Sequence, residues 1–269
     1  MNLDPDFAQD MHLSVPSGEA FVYPESDGLP LSESTRQFAM IFLVVGGLDA
    51  QFRDRDDVFV AGDLLWYPRY RDAKTRAAPD AMVVFGRPKH HRGSYAQAEE
   101  NNIAPQVVFE ILSPNNTALE MDYKLDFYNE YGAEEFYILD PQSGDMRGWV
   151  RGESGQLEPV RSMQNWVSPR LGVRFFSKFD DSDDNIKLYH PDGSPFETFV
   201  EVERRAALAE ERSRRDEAAR LAAEEAARRA ETARLAAEEQ TRRDQERIAR
   251  LMEQLRQAGL DPRDEQTGG

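Results

Sequence analysis

From Glu201 to Ala258 the chain has no glycine, proline or aromatic residue and is written almost wholly in Glu, Arg and Ala. Strong helix formers without a turn residue among them make a long helix and little else. Such a segment cannot build a core, so the globular structure has to come from the residues before it. The composition break near residue 200 is therefore a domain boundary. The stretch carries 14 Arg against 14 Asp and Glu, which leaves the chain's net charge of −17 to the remaining residues. It is a charge-balanced helix rather than a basic arm.

Arg220-Leu221-Ala222-Ala223-Glu224-Glu225 recurs at Arg234-Leu235-Ala236-Ala237-Glu238-Glu239, two heptads later. Ala219, Ala223, Ala226, Ala230, Ala233 and Ala237 line one helix face. An alanine seam buries little area, at about 25 cal/mol per Å². A self-associating coiled coil and a solitary helix held by i,i+4 ion pairs both fit this pattern. Ile248, Leu251, Met252 and Leu255 form a better apolar stripe, with Gly259 as a C-cap before Pro262.

The expected organisation is an extended arm over 1–30, which contains four prolines, a folded domain over 31–198, the helix over 199–259 and a disordered tail over 260–269. In the folded part, Ser32 or Ser34 caps a helix through Phe38, Ala39, Ile41, Phe42 and Val45 that closes at Gly46-Gly47. Short β-branched and aromatic runs follow at 57–60, 64–67, 81–85 and 107–112. Asp122 to Tyr131 reads as a helix with Leu125 and Tyr128 inward and Gly132 at its end, and 135–140 as a strand stopped by Pro141. Trp149, Gln156-Leu157 and 173–176 suggest edge strands, giving a mixed α/β sandwich with one curved sheet.

Without cysteine the chain has no disulfide, no Cys-based zinc site and no thiol nucleophile. Its acidity argues against coating nucleic acid or anionic membrane non-specifically, so any phosphate contact is local or metal-assisted. The longest apolar run, Phe38 to Leu48, is too short to cross a bilayer and no secretory signal is visible. A soluble cytoplasmic protein is the expectation.

Two acids stand out. Asp80 immediately precedes the apolar run Ala81-Met82-Val83-Val84, and Glu110 lies inside Val107-Val108-Phe109-Glu110-Ile111-Leu112. A carboxylate inside a packed strand persists only with a cation or several donors as partner. Two of them on neighbouring strands make half of an octahedral oxygen site for Mg²⁺. Alternatively Asp80 is a turn residue after Pro79 and Glu110 pairs with an arginine. Lys124, the single lysine between Lys89 and Lys178, starts the next helix and can hold an attacking water or stabilise charge on phosphorus. Asp63 is a further acidic neighbour or a turn residue after Gly62. His90 and His91, being adjacent, would face opposite sides of a strand and read as part of a basic loop.

Five ordered blocks carry a family resemblance: Pro79-Asp80-Ala81-Met82-Val83-Val84, Arg92-Gly93-Ser94-Tyr95, Val108-Phe109-Glu110-Ile111-Leu112-Ser113-Pro114, Asp122-Tyr123-Lys124 with Tyr128, and Gly132 to Pro141. Together they resemble the PD-(D/E)xK nuclease superfamily, and more closely the Uma-two-like "putative restriction endonucleases" of cyanobacterial type. The resemblance implies a restriction-endonuclease-like core, a mixed curved β-sheet flanked by helices, followed here by the charged C-terminal helix. It implies that Asp80, Glu110 and the backbone carbonyl of Ile111 bind Mg²⁺, or Mn²⁺ in its place, with Asp63 as an additional candidate. Water would then attack a DNA phosphodiester. It further implies that Lys124 replaces the lysine expected two residues past Glu110, where this chain has Leu112. The expected partners are DNA as substrate, no membrane, and a second copy joined through the nuclease-like domain or the C-terminal helix. The rival expectation is a catalytically silent binding or scaffold protein that keeps the fold and assembles through its helix.

Overall fold

The computed structural model describes residues 21–28, 32, 34–179, 182 and 185–258. The chain divides into two compact units, Met1–Phe199 and Val200–Gly269. Residues 1–20 of the expected arm, Gly259 as a C-cap and the 260–269 tail lie outside the described residues.

The first unit opens with α1 (Thr35–Gln51), whose N-cap Ser34 accepts from the Gln37 N–H. The helix runs through Gly46-Gly47 rather than closing there. A Cβ at Gly47 would stand 2.1 Å from the ring of Phe196, so that glycine serves a close approach inside the helix and not a helix end. Met40, Ile41, Val44 and Leu48 face inward while Phe38 and Phe42 are exposed. The strands β1 (Val58–Ala61), β2 (Trp66–Tyr67), β3 (Ala81–Phe85), β4 (Tyr95–Ala96) and β5 (Val107–Ile111) follow. Next come α2 (Ala118–Tyr131), β6 (Glu135–Leu139), β7 (Met146–Arg151), β8 (Leu157–Pro159), β9 (Arg174–Ser177) and β10 (Ile186–Tyr189).

Six of these strands form one mixed sheet in the order β1-β3-β5-β6-β7-β8. Only the central β5–β6 pair is parallel, and a parallel pair needs a crossover, which α2 supplies. The alternation of the strands sends their residues to two separate cores. Ala81, Val83, Val107, Phe109, Ile111 and Tyr137 pack with α1, β9 and β10. Met82, Val84, Val108, Phe136 and Ile138 pack with Met121 and Tyr128 of α2. Buried on both faces, β3, β5 and β6 are near-continuous apolar runs, so a polar residue on them stands out.

α2 begins four residues before the expected Asp122, under a Thr117 cap, and ends at Gly132 with φ 99°. Lys124 therefore sits in its second turn rather than at its start. Met121 and Tyr128 are the buried residues of α2, and Leu125 is half-buried.

Among the described residues the second unit consists of the helix α3, which begins at Phe199, the last residue of the first unit, and runs to Gln257. No residue along it is buried. At 1.5 Å per residue it measures about 90 Å. Exposed Arg–Glu pairs such as Arg220–Glu224, Arg229–Glu225 and Arg243–Glu239 are spaced i,i+4 along it. No described helix is long and apolar enough to cross a membrane.

Candidate active site

The antiparallel register of β3 against β5 places Ala81 opposite Phe109 and Met82 opposite Val108. Continued one step beyond β3, that register sets Asp80 opposite Glu110 on the face that packs against α2. Residues directly opposite on one face have Cβ atoms about 5 Å apart, and like charges so placed repel. Glu110 is 2% exposed. Its Oε2 accepts from Lys124 Nζ at 2.7 Å and its Oε1 from the Tyr128 hydroxyl. Lys124 and Tyr128 are four residues apart on α2 and so share a helix face. Each takes one oxygen of the same carboxylate.

Asp80 uses Oδ2 to accept the Ile111 N–H at 2.6 Å, and its carboxyl group lies opposite that of Glu110. Burial, then the Glu110 charge, push the Asp80 carboxyl up to about 8, against the opposing pull of the Ile111 N–H and Lys124. Two acids thus face each other with a single ammonium, which is bonded to Glu110. Burial opposes the charge on Lys124, but the Glu110 charge and hydrogen bond, with Asp80 and Glu120, raise it above its ordinary value. Burial and the same Glu110 charge hold the Tyr128 hydroxyl far above the usual phenol range, so it is a donor.

The Ile111 carbonyl accepts from the Gln37 side-chain amide at 2.9 Å. Asp63 is exposed, with φ 49°, and gives its N–H to the Pro79 carbonyl at 3.1 Å. Partial burial and the charge of Asp27 raise its carboxyl, Lys124 opposes this, and Glu110 adds to it. Asp63 therefore borders the pair without joining its hydrogen bonds. His90 and His91 are exposed in an irregular segment between β3 and β4. Leu112 is half-buried and packs in the core beside α2.

The structure thus brings together Asp80, Glu110 and Lys124, with Ile111 joined to Asp80 through its N–H and its carbonyl held by Gln37, leaves Asp63 at the margin, and sets His90 and His91 apart. Glu110 pairs with a lysine, not the arginine weighed from the sequence. The residues that sequence reasoning left out of the site are Tyr128 and Gln37. Tyr128 had a signal, the Lys-x-x-x-Tyr spacing that puts it beside Lys124. For Gln37 the only sign was Ser34-Thr35-Arg36-Gln37, a helix-capping pattern that says nothing of a contact 74 residues away.

The donors are hard oxygens, two carboxylates and a carbonyl, which are the ligand types of Mg²⁺ and Mn²⁺. Among the described residues no group of three or more His, Cys, Asp or Glu side chains is arranged to hold a metal. A metal here would therefore rest on two carboxylates and the carbonyl, with water or substrate oxygens completing its shell.

A mixed sheet flanked by helices, with its acids gathered where two central strands part, is a restriction-endonuclease-like α/β fold. The chain belongs to the Uma2 family, described as "putative restriction endonuclease", whose model matches residues 5–177. Among solved structures it is similar to a "putative nuclease belonging to DUF820" from Anabaena variabilis ATCC 29413. That chain is 14% identical, with 51% of this chain and 73% of the other covered and a TM-score of 0.38. No curated protein matches the chain.

Proposed function

We propose that the Met1–Phe199 unit is a divalent-metal-dependent nuclease that hydrolyses DNA phosphodiester bonds at Asp80, Glu110 and Lys124. The observation that carries this reading is the cross-strand pair itself. Two carboxyl groups face each other across the strand gap, Glu110 buried and Asp80 partly so, with one ammonium paired to Glu110, an arrangement that costs stability and that a cation would relieve. The family supports nuclease activity in general.

Asp80, Glu110 and the Ile111 carbonyl would hold Mg²⁺ or Mn²⁺, which when bound supplies a more acidic water and neutralises charge on a phosphoryl oxygen. Tyr128 fixes the Glu110 carboxylate from one side so that its orientation does not depend on the cation. Lys124 lies on the other oxygen, 27% exposed, and brings a positive charge to the edge of the site where a phosphate would arrive. Asp63 marks an acidic border that disfavours phosphate binding until the metal is present.

The test is calorimetric titration of the purified protein with Mn²⁺, alongside cleavage assays on single-stranded, duplex and branched DNA. Metal binding and metal-dependent cleavage, both lost in Asp80→Asn, are the expected result. No metal binding by the wild-type chain would sink the reading in favour of a silent nuclease fold acting as a scaffold.

A further inference from the structure

The break between β3 and β5 leaves the Ile111 backbone without its ladder partners. Two residues beyond the Ala81–Phe109 pair, the antiparallel register sets Ile111 opposite Pro79. Proline has no N–H to give the Ile111 carbonyl. The Pro79 carbonyl, which would take the Ile111 N–H in a continued ladder, accepts the Asp63 N–H instead. A side chain fills each place. Asp80 accepts the Ile111 N–H at 2.6 Å, and Gln37 donates to the Ile111 carbonyl at 2.9 Å. Gln37 is 7% exposed in the first turn of α1, and its own N–H is held by the Ser34 cap at 3.1 Å. It reaches the carbonyl from the α1 side of the sheet, opposite to the side from which Lys124 and Tyr128 reach Glu110.

We propose that Gln37 is a positioning residue of the metal site, holding the Ile111 carbonyl in the β3–β5 gap so that it serves as the third oxygen ligand. This rests on the reading of Asp80 and Glu110 given above. A carbonyl oxygen has two lone pairs, so one bond to the Gln37 amide leaves the other for a cation. Without the amide the carbonyl is a buried acceptor with neither ladder nor side-chain donor, free to turn away from the carboxylates. Partners that orient a ligand in this way are worth about 10 to 100-fold in metal affinity.

The test is Gln37→Met in the full chain, a near-isosteric change that removes the donor and keeps a helix-forming side chain. Titrated calorimetrically with Mn²⁺ alone, the variant should bind about tenfold more weakly. At saturating Mn²⁺ its KM for DNA should match wild type, because Gln37 touches no substrate. A folded Gln37→Met with unchanged Mn²⁺ affinity overturns the proposal. A measurement on the wild-type chain decides the matter even if the variant does not fold. The Gln37 side-chain amide protons, followed by NMR, should stay protected from exchange as Mg²⁺ is added. Loss of that protection would mean that the amide leaves the carbonyl when metal arrives, which also overturns the proposal. If Mn²⁺ binds to wild type, is lost in Asp80→Asn and is unaffected by Gln37→Met, only the role of Gln37 falls. If wild type binds no metal, the site reading falls with it.

Discussion

Two buried glutamates sit on the adjacent central strands, Glu110 near the end of β5 and Glu135 at the start of β6, with exposures of 2% and 1%. Glu135 is surrounded by donors. Its Oε2 accepts from the Ser168 hydroxyl and, at 2.9 Å, from the Tyr137 hydroxyl, and its Oε1 from the Arg170 N–H at 2.6 Å. No acid faces it in the register, where β6 pairs its position with Val107 and Val150. Burial raises its carboxyl, and the Ser168, Arg170 N–H and Tyr137 bonds oppose that rise. Glu110 has a tyrosine and a lysine but also Asp80 across the strand gap. A buried acid whose lone pairs are met by neutral donors ties a loop to a sheet. A buried acid that faces a second acid, with a single ammonium bonded to one of the two, is the arrangement the proposed site rests on. Burial alone does not separate the two; the neighbours do.

The sharpest way to break this contrast is to make the same change in both places. Glu110→Gln should lower cleavage by at least about a hundredfold, the scale seen when a group stabilising transition-state charge is removed. Glu135→Gln should leave kcat and KM within about twofold while lowering unfolding free energy by about 1 to 3 kcal/mol, because donors built for a carboxylate are left partly unmet. Steady-state kinetics and urea unfolding of both variants check this. Equal loss of activity in the two would erase the distinction between a site acid and a tie.

A smaller effect concerns the pH dependence of the metal-free protein. Folding raises the Asp80 carboxyl from 3.8 to about 8, burial first and Glu110 second, so between these values the folded chain binds a proton that the unfolded chain has released. Stability from this group is therefore greatest below about pH 4 and declines as pH rises through about 8. Asp80→Asn removes the titration, keeps an acceptor for the Ile111 N–H, and should be the more stable protein at pH 8, by on the order of 2 kcal/mol. Urea midpoints of wild type and variant at pH 5 and pH 8, both with chelator, test this. A wild-type advantage that grows with pH would show that the two carboxyl groups are not in conflict.

The sequence showed the parts of this site more clearly than their arrangement. The bounds of β3, β5 and β6 were readable from apolar runs cut by Pro79, Pro114 and Pro141, and Ser34 and Gly132 announced helix ends through local backbone chemistry. Asp80 and Glu110 could be singled out as acids in costly places. What was not readable depends on contacts distant in sequence. Gly46-Gly47 looks like a helix stop until Phe196 is known to lie against Gly47. Gln37 looks like a capping residue until the register sets Pro79 opposite Ile111. The short strand β4 offers two residues and β10 a four-residue Ile-Lys-Leu-Tyr run, too little periodicity to declare itself. Glu135 meets the same cost-of-burial rule as Glu110, and only its three donors show why the outcome differs.

The smallest expected effect belongs to α3, where acids and bases contrast again with those of the site. Its ion pairs are exposed, as in Arg229–Glu225 at 3.5 Å, and such i,i+4 pairs contribute about 0.3 to 0.5 kcal/mol each. Its charge is balanced, so it adds no net attraction for a polyanion. Its alanine face is also poorly suited to parallel self-pairing. With the 219–237 alanines as the seam, Arg215 and Arg229 flank it on one side and Arg220 and Arg234 on the other. A parallel, in-register copy would bring Arg215 towards its partner's Arg220, and Arg229 towards Arg234, so like charges would meet where opposite ones stabilise a coiled coil. Ending the chain after Phe199 should therefore leave Mn²⁺ affinity and kcat unchanged within about twofold, a change too small to signify loss of a charge-stabilising group. Sedimentation of the full chain and the shortened one, run beside the cleavage assay, reads assembly separately from chemistry. Loss of cleavage together with a fall in oligomeric state would make the helix an assembly element on which the site depends. Loss of cleavage without a change in mass would place some part of the substrate contact on α3 itself.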